Sequence, residues 1–315
     1  MKALNELLQD DTAGDPITGL KWTRKTPAKL SRELRRQGFR VGRMTVRRLM
    51  GERGYALRVN RKRLSKRQDP DRDRQMRHIA RTRRVFIRAG FPVISVDTKK
   101  KELIGNFKNA GRTWRRQPRE VLATDFLSDA EGKAIPYGVY DLQRNQGYLA
   151  LGTSHETAGF AVATIRAWWK QVGQVAYAGE SHLLILADGG GANGSDGWLW
   201  KAGLQALADE FNLTITVTHY PPGASKWNPI EHRMFSPISQ NWAGQPLVTY
   251  ETMLKYIRTT RTESGFRCRV RLDTTAYPTG LKVPAEEIAQ FNLSRHRVFP
   301  DWNYTLRPHS VVRKK

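Results

Sequence analysis

Two short apolar runs that each close on an aspartate constrain this chain most: "FPVISVD", ending at Asp97, and "LLILADGGG", turning at Asp188. An unbroken run of about four to eight Val, Ile and Leu residues bounded by turn formers marks a strand buried on both faces. Such strands require helices above and below the sheet. The neighbouring sequence supplies them. "ETAGFAVATIRAWWKQVG" and "DGWLWKAGLQALADEFN" read as helices, and "IPYGVYDLQRNQGYLALG" as a hairpin turning near "RNQG". "LTITVTHY" reads as a further strand and "NPIEHRMFSPISQNW" as a last helix. The order β, ββ, α, β, α, β, α predicts a mixed α/β domain over residues 91–265 with both faces of its sheet covered.

In open α/β sheets, functional groups gather at the carboxyl ends of the strands, where loops are free to vary. If the strands ending at Asp97 and Asp188 are neighbours, two carboxylates meet, and their repulsion requires a shared proton or a cation. A third carboxylate rules out the shared proton and favours a hard divalent ion with oxygen ligands. Glu231, behind the stiff turn "HYPPGASKWNP", is the candidate third. It also falls three residues after Asn228 with Pro229 between, the spacing of a capping box. Asp97 has a plainer reading as a cap on "TKKKE", and Asp188 as a turn former before "GGGANG". Asp125, Asp141, Asp196 and Asp209 compete, but only Asp97 and Asp188 end apolar strands in this way.

Charge points to the partner. The net charge is +25, and residues 20–90 hold 25 Lys/Arg against five Asp/Glu. A field of that size attracts polyanions by counterion release, and the segment lacks the apolar face of a membrane-lying helix. Residues 1–19 read as an arm rich in turn formers. Over 20–58, "TPAKLSRELRRQG" predicts a helix with Thr26 as N-cap, Pro27 at its first position and Gly38 at its end. "RMTVRRLMGERG" predicts a second, with Val46, Leu49 and Met50 inward and Arg43, Arg47 and Arg48 outward. That pattern suits a helix-turn-helix whose second helix enters a major groove, or a structural basic hairpin. Residues 59–90 read as a basic linker, then a helix from Asp69–Pro70 to Gly90 with Met76, Ile79, Ala80 and Phe86 on its inner side. A hydrophobic content of 39% permits a core, one cysteine excludes an intrachain disulfide, and no apolar run spans a bilayer. With no signal-peptide pattern at the start, a cytoplasmic, nucleoid-associated protein is expected.

"ISVDTKKKELIGNFKN", "PYGVYDL", "LADGGGANG", "HYPPGASKWNPIEHRMFS" and "DWNY" together resemble the DDE transposases of bacterial insertion sequences, of the ISAzo type (the Rhodopirellula transposase DDE family), from about residue 14 to 308. The resemblance implies a ribonuclease-H-like, retroviral-integrase-like catalytic core and DNA transposition. Its acidic triad falls on Asp97, Asp188 and Glu231, which would hold two Mg²⁺ ions, with Mn²⁺ as a substitute. It implies DNA ends and target DNA as partners and, because two ends must be brought together, a homodimer or larger assembly. Two departures stand out: the family pattern implies residues upstream of Met1, and it has an arginine where this chain has Ala243. The expected chemistry is water-driven cleavage at the element's end, then attack of the freed 3′-hydroxyl on target DNA.

The surrounding residues carry alternatives. Lys99, Lys100 and Lys101 neutralise phosphates or form an ordinary exposed run, and Lys226 with Trp227 holds an end base or packs inward. His219 and His232 read as satisfied core or surface histidines. Residues 266–315 read as a C-terminal extension. A metal-dependent nuclease of the same fold, a helix-turn-helix regulator and an inactive remnant are the rival functions. Metal-dependent nicking separates the enzymes from the regulator, and joined products separate transposase from nuclease.

Overall fold

The computed structural model describes residues 2–10, 12–14, 21–23, 25–57, 71–224 and 227–309, and the chain divides into two units, Met1–Leu64 and Ser65–Lys315. In the first unit the expected arm contains a helix, α1 (Lys2–Asp10), followed by a two-stranded antiparallel ribbon, β1 (Thr12–Gly14) and β2 (Lys21–Thr23). Leu4 and Leu8, one helical turn apart, are the signal that a reading by turn formers overlooks. They bury against Leu30, Leu34 and Val46.

Those partners lie on α2 (Pro27–Arg36) and α3 (Arg43–Glu52). Thr26 caps α2 by accepting from the Lys29 amide at 3.2 Å, and Gly38 takes a φ of +88° just beyond its end. Ser31 Oγ donates to the Val41 carbonyl at 2.8 Å and holds the turn into α3. On α3 only Val46 is fully buried; Leu49 and Met50 pack beside it, and Arg43, Arg47 and Arg48 are exposed. Arg48 pairs with Glu52 at 2.6 Å. The basic stretch 58–68 and the Asp69–Pro70 helix start lie outside the described residues.

The second unit opens with α4 (Arg72–Arg88), whose buried positions are Gln75 and Ile79 with Met76 and Phe86 partly covered; Ala80, expected inside, is exposed. Then follow β3 (Val93–Thr98), β4 (Glu102–Ile104), β5 (Gly132–Asp141), β6 (Gln146–Gly152) and α5 (Ala158–Trp168). A π-helical turn (Trp169–Gly173) carries α5 into the short α6 (Gln174–Ala176). β7 (His182–Ala187), α7 (Trp198–Phe211) and β8 (Thr214–His219) precede a second π-helical turn (Glu231–Phe235) that runs into α8 (Ser236–Asn241). α9 (Tyr250–Thr259), β9 (Arg267–Asp273), α10 (Ala285–Ile288), β10 (Leu293–Arg295) and β11 (Asn303–Leu306) complete the chain.

The strands form one mixed sheet in the order β10-β11-β8-β7-β3-β5-β6-β9, with β4 paired to β5. β3, β7 and β8 run parallel, β5 runs against β3 and β6, and β9 runs parallel to β6. Alternate residues of a strand face opposite sides. Ile94 and Val96 therefore join the core under α5 and α7, while Val93 packs toward α4. Residues 266–309, read from sequence as an extension, supply β9 at one edge and β10–β11 at the other. The alternating arginines of "RCRVRLD" hide a strand whose other face, through Cys268, Val270 and Leu272, packs on the α8–α9 core.

Candidate active site at the carboxyl edge of the sheet

β3 and β7 pair in parallel with Val93 opposite Leu184 and Val96 opposite Ala187, so one more step brings Asp97 beside Asp188. Neighbouring strands lie about 4.8 Å apart, so the two carboxylates are within each other's field. Asp97 is buried. Burial raises its pKa to about 8, the charges of Asp188 and Glu231 push the same way, and hydrogen bonds from Thr98 and Asn228 oppose. Asp188 is raised first by burial, against hydrogen bonds from the Gly190 amide and the Asn193 side chain, with Glu156 and Glu231 adding repulsion. Its Oδ1 is buried with no hydrogen-bond partner. An orphaned carboxylate oxygen beside a second buried carboxylate suits a hard cation, which would satisfy the lone pairs and relieve the repulsion.

Glu231 reaches the same edge by a different route. Ser95, two residues before Asp97 and on the same strand face, donates from its Oγ to Asn228 Oδ1 and accepts from the Ile230 amide at 3.2 Å. Asn228 in turn approaches Asp97 Oδ2 with its Nδ2 at 3.4 Å. The Asn228 side chain thus ties the helix start to β3, where the capping-box reading would have it close on its own helix. Glu231 opens the π-helical turn, a distortion frequent at functional sites. Its pKa is raised by burial and held back by His232 and Lys99. Gly138, opposite Asp97 on β5, lets this helix sit close: a Cβ there would lie 2.7 Å from Phe235 and 2.9 Å from Ile230. Among the described residues no group of three His, Cys, Asp or Glu side chains is drawn close enough to cage one ion. Asp97 and Asp188 fit a metal; Glu231 stands in their field without closing the cage.

Behind Asp188 lies a directed hydrogen-bond chain. Trp200 Nε1 donates to Tyr304 Oη at 2.9 Å, and Tyr304 Oη lies 3.2 Å from His219 Nε2. His219 Nδ1 stands 2.8 Å from the Asp188 carbonyl. A carbonyl only accepts, so Nδ1 carries the proton and Nε2 accepts from the tyrosine. Burial lowers the His219 pKa to about 4, which keeps the ring neutral and this tautomer in place. His219 is the satisfied core histidine of the sequence reading, and its hydrogen bond fixes the backbone that carries Asp188.

The predicted cations divide. Lys99 is buried, paired with Glu102 at 2.7 Å and set over the Trp242 ring at 4.6 Å. Lys100 is exposed and lines, with Lys99, Glu231, His232 and Trp242, a cavity of about 610 Å³. Lys101 pairs with Glu156 at 2.7 Å. Lys226 lies outside the described residues. Trp227 is 41% exposed and lies under the Arg72 guanidinium at 4.1 Å, so it is not the core residue expected. Of the competing aspartates, Asp141 accepts from Tyr177 at 2.8 Å, and Asp209 pairs with His309 at 3.0 Å.

Sequence reasoning missed several residues. Ser95 had a signal, a polar residue inside an apolar run. Glu156 had none: it lies on the β6–α5 loop, and its charge acts on Asp188 across a long stretch of chain. The insertion between β4 and β5 was also missed: Lys108, Arg112, Arg115, Arg116 and Arg119 line a cavity of about 510 Å³, with Trp114 fully exposed among them. Gly111, at φ +108°, lets it pack on Ala243, whose Cβ would lie 2.6 Å from any Cβ at 111.

A family model described as the Rhodopirellula transposase DDE domain matches residues 3–308. No protein of curated function matches the chain. Among solved structures, a pre-cleavage Mos1 transpososome is similar at TM-score 0.46 and 16% identity, covering 80% of this chain and 68% of that one. The Mos1 paired-end complex with left transposon end gives 0.45 and 15%, with 81% and 68% covered. The Mos1 mariner paired-end complex with Mn gives 0.45 and 16%, with 80% and 68% covered. Among the described residues no helix is long and apolar enough to cross a membrane.

Proposed function

This chain belongs to the Rhodopirellula transposase DDE family and is a transposase, and from that premise we propose that Asp97, Asp188 and Glu231 form its catalytic site. On this reading it cleaves DNA at the ends of an insertion sequence and joins the freed 3′-hydroxyl to target DNA. The observation that carries the assignment is the in-register meeting of Asp97 and Asp188 at the ends of adjacent parallel strands. The Ser95–Asn228 tie, which holds the helix of Glu231 against the same strand, supports the third position. The central order β6-β5-β3-β7-β8, with only β5 reversed, supports a ribonuclease-H-like core.

Asp97 and Asp188 would hold divalent metal, Mg²⁺ or Mn²⁺, and Glu231 would close on it by turning its side chain inward. Two such ions supply a lowered pKa for attacking water, charge stabilisation at the phosphate and in-line placement of the two oxygens. The protein's own part is to position. His219 holds the Asp188 backbone, Asn228 orients Asp97, and Gly138 admits the Glu231 helix. Lys100 and the arginines of the β4–β5 insertion would neutralise phosphates beside the carboxylates; the insertion packs through Gly111 on Ala243, where the family pattern carries an arginine. In the N-terminal unit, α2 and α3 would act as a helix-turn-helix with Arg43, Arg47 and Arg48 facing DNA. A dimer or larger assembly follows from the need to hold two ends.

The test is incubation with duplex carrying the element's end sequence and Mg²⁺, resolving nicked from joined products. Joined strands support transposition; nicks alone would make the enzyme a nuclease. Normal cleavage by Asp97→Asn would sink the site assignment.

A further inference from the structure

The β9 edge of the sheet carries a second, oppositely charged cluster. Across the sheet Asp97 is level with Gly138, Leu149 and Val270, so Arg267 and Arg269 alternate onto the opposite face, on the edge strand β9 three strands away from β3. Three strand spacings of about 4.8 Å put the two sites on the order of 15 Å apart, mostly across the sheet. There Arg267 and Arg269 stand on one face of β9, in register with Gln146 and Tyr148 of β6. Arg258 and Arg261 reach the same place from the end of α9. Together they line a cavity of about 480 Å³.

All four arginines are exposed, and among the described residues none of their side chains has an acidic partner. Most other arginines with a nearby carboxylate are engaged: Arg166 with Glu210, Arg271 with Asp273, Arg295 with Asp301. Glu263, on the loop between α9 and β9, forms no ion pair with them. Arg261 instead donates to the backbone carbonyls of Arg258 and Thr260 at 2.9 and 2.8 Å, which holds its guanidinium in place without neutralising it. Four like charges around one concave site repel one another, and the arrangement makes sense when an anion fills it. Guanidinium groups suit phosphate above other anions because their donors form a planar fork. The two on β9 repeat every two residues, about 6.6 Å, giving a row rather than a single point.

We propose that this arginine row is a docking site for the sugar–phosphate backbone of duplex DNA, separate from the carboxylate site and reading no sequence. It would hold a stretch of DNA away from the reacting strand, leaving the chemistry to the central strands.

The test uses the full chain and a duplex without the element's ends, with affinity followed across salt concentration. Arg267→Gln with Arg269→Gln should weaken binding about tenfold at low salt and flatten the slope of log K against log salt by about two, since each lost phosphate contact removes about 0.9. Arg258→Gln with Arg261→Gln, changes on a helix rather than a strand, should do the same, with unfolding temperature checked for both. Arg267→Lys with Arg269→Lys should keep most of the slope. Arg166→Gln, at a guanidinium already paired with Glu210, should leave it untouched, and because the readout is binding to a duplex without the element's ends, this site stands or falls independently of the catalytic assignment. An unchanged slope in both double variants would overturn the proposal. So would preferential capture of a polyglutamate peptide by the wild type but not the variants, which would make the row a protein-docking surface.

Discussion

The centre of the sheet and its β9 edge solve opposite problems with like charge. At the carboxyl edge, Asp97 and Asp188 are drawn together in partial burial, where desolvation and mutual repulsion raise both pKa values. On the β9 edge strand and the end of α9, Arg258, Arg261, Arg267 and Arg269 face water, which screens their repulsion. Burial is what separates the two. A buried acidic pair demands a compact partner that satisfies lone pairs directly, such as a metal ion. An exposed cationic row suits an extended polyanion whose binding releases counterions. Clustered like charge therefore names the sign of a missing partner, and its depth names the size.

The first way to break the contrast is to remove the acid. Asp97→Asn is expected to reduce nicking at least about a thousandfold while leaving duplex affinity within about twofold, measured by single-turnover cleavage and by titration. Gly138→Ala comes next. Its Cβ would push the Glu231 helix from the sheet, with a cleavage loss of about a hundredfold and a stability loss of about 1–3 kcal/mol by denaturant titration. Cleavage within twofold of wild type would mean that the position of that helix is irrelevant. Tyr304→Phe breaks the chain from Trp200 to His219 and should lower cleavage about tenfold, with binding intact. If only stability changes, His219 does not position Asp188.

Stability against pH sharpens the contrast without an activity assay. The folded pKa of Asp97, about 8, lies above its unfolded value near 4, so between those limits the folded protein binds more protons than the unfolded chain. Metal-free stability should therefore fall as pH rises from about 4 to 8 and level off above. Asp97→Asn should flatten that decline, and Mg²⁺ should oppose it by binding the ionised site. An unchanged decline in the variant would place its origin elsewhere. The smallest effect belongs to the N-terminal unit: Arg43→Gln or Arg47→Gln should each reduce the salt slope of duplex binding by about one.

Legibility in the sequence followed the range of the forces involved. The central elements were readable because "VISV" and "LLILA" are apolar on both faces and the helices between them are amphipathic. α1 was readable too, had Leu4 and Leu8 been given weight over the turn formers that follow. β9 was not, because its alternating arginines erase the apolar run, and its place beside β6 depends on a partner more than a hundred residues earlier. Within the site, Asp97 and Asp188 stood out as strand ends. Lys99 looked like a free cation in "TKKKE", yet it is buried against Glu102 and Trp242. Glu156 and the Tyr304–His219 contact join residues distant in the chain, and no local pattern announces them.

By itself the sequence determined the class of partner and the ends of two strands, since net charge and apolar runs are properties of composition and short-range order. Only the tertiary structure decided which carboxylates share a field, which cations remain unneutralised and which strands of the sheet carry each. Those depend on strand register and helix seating, and these are set by packing between segments far apart in the chain.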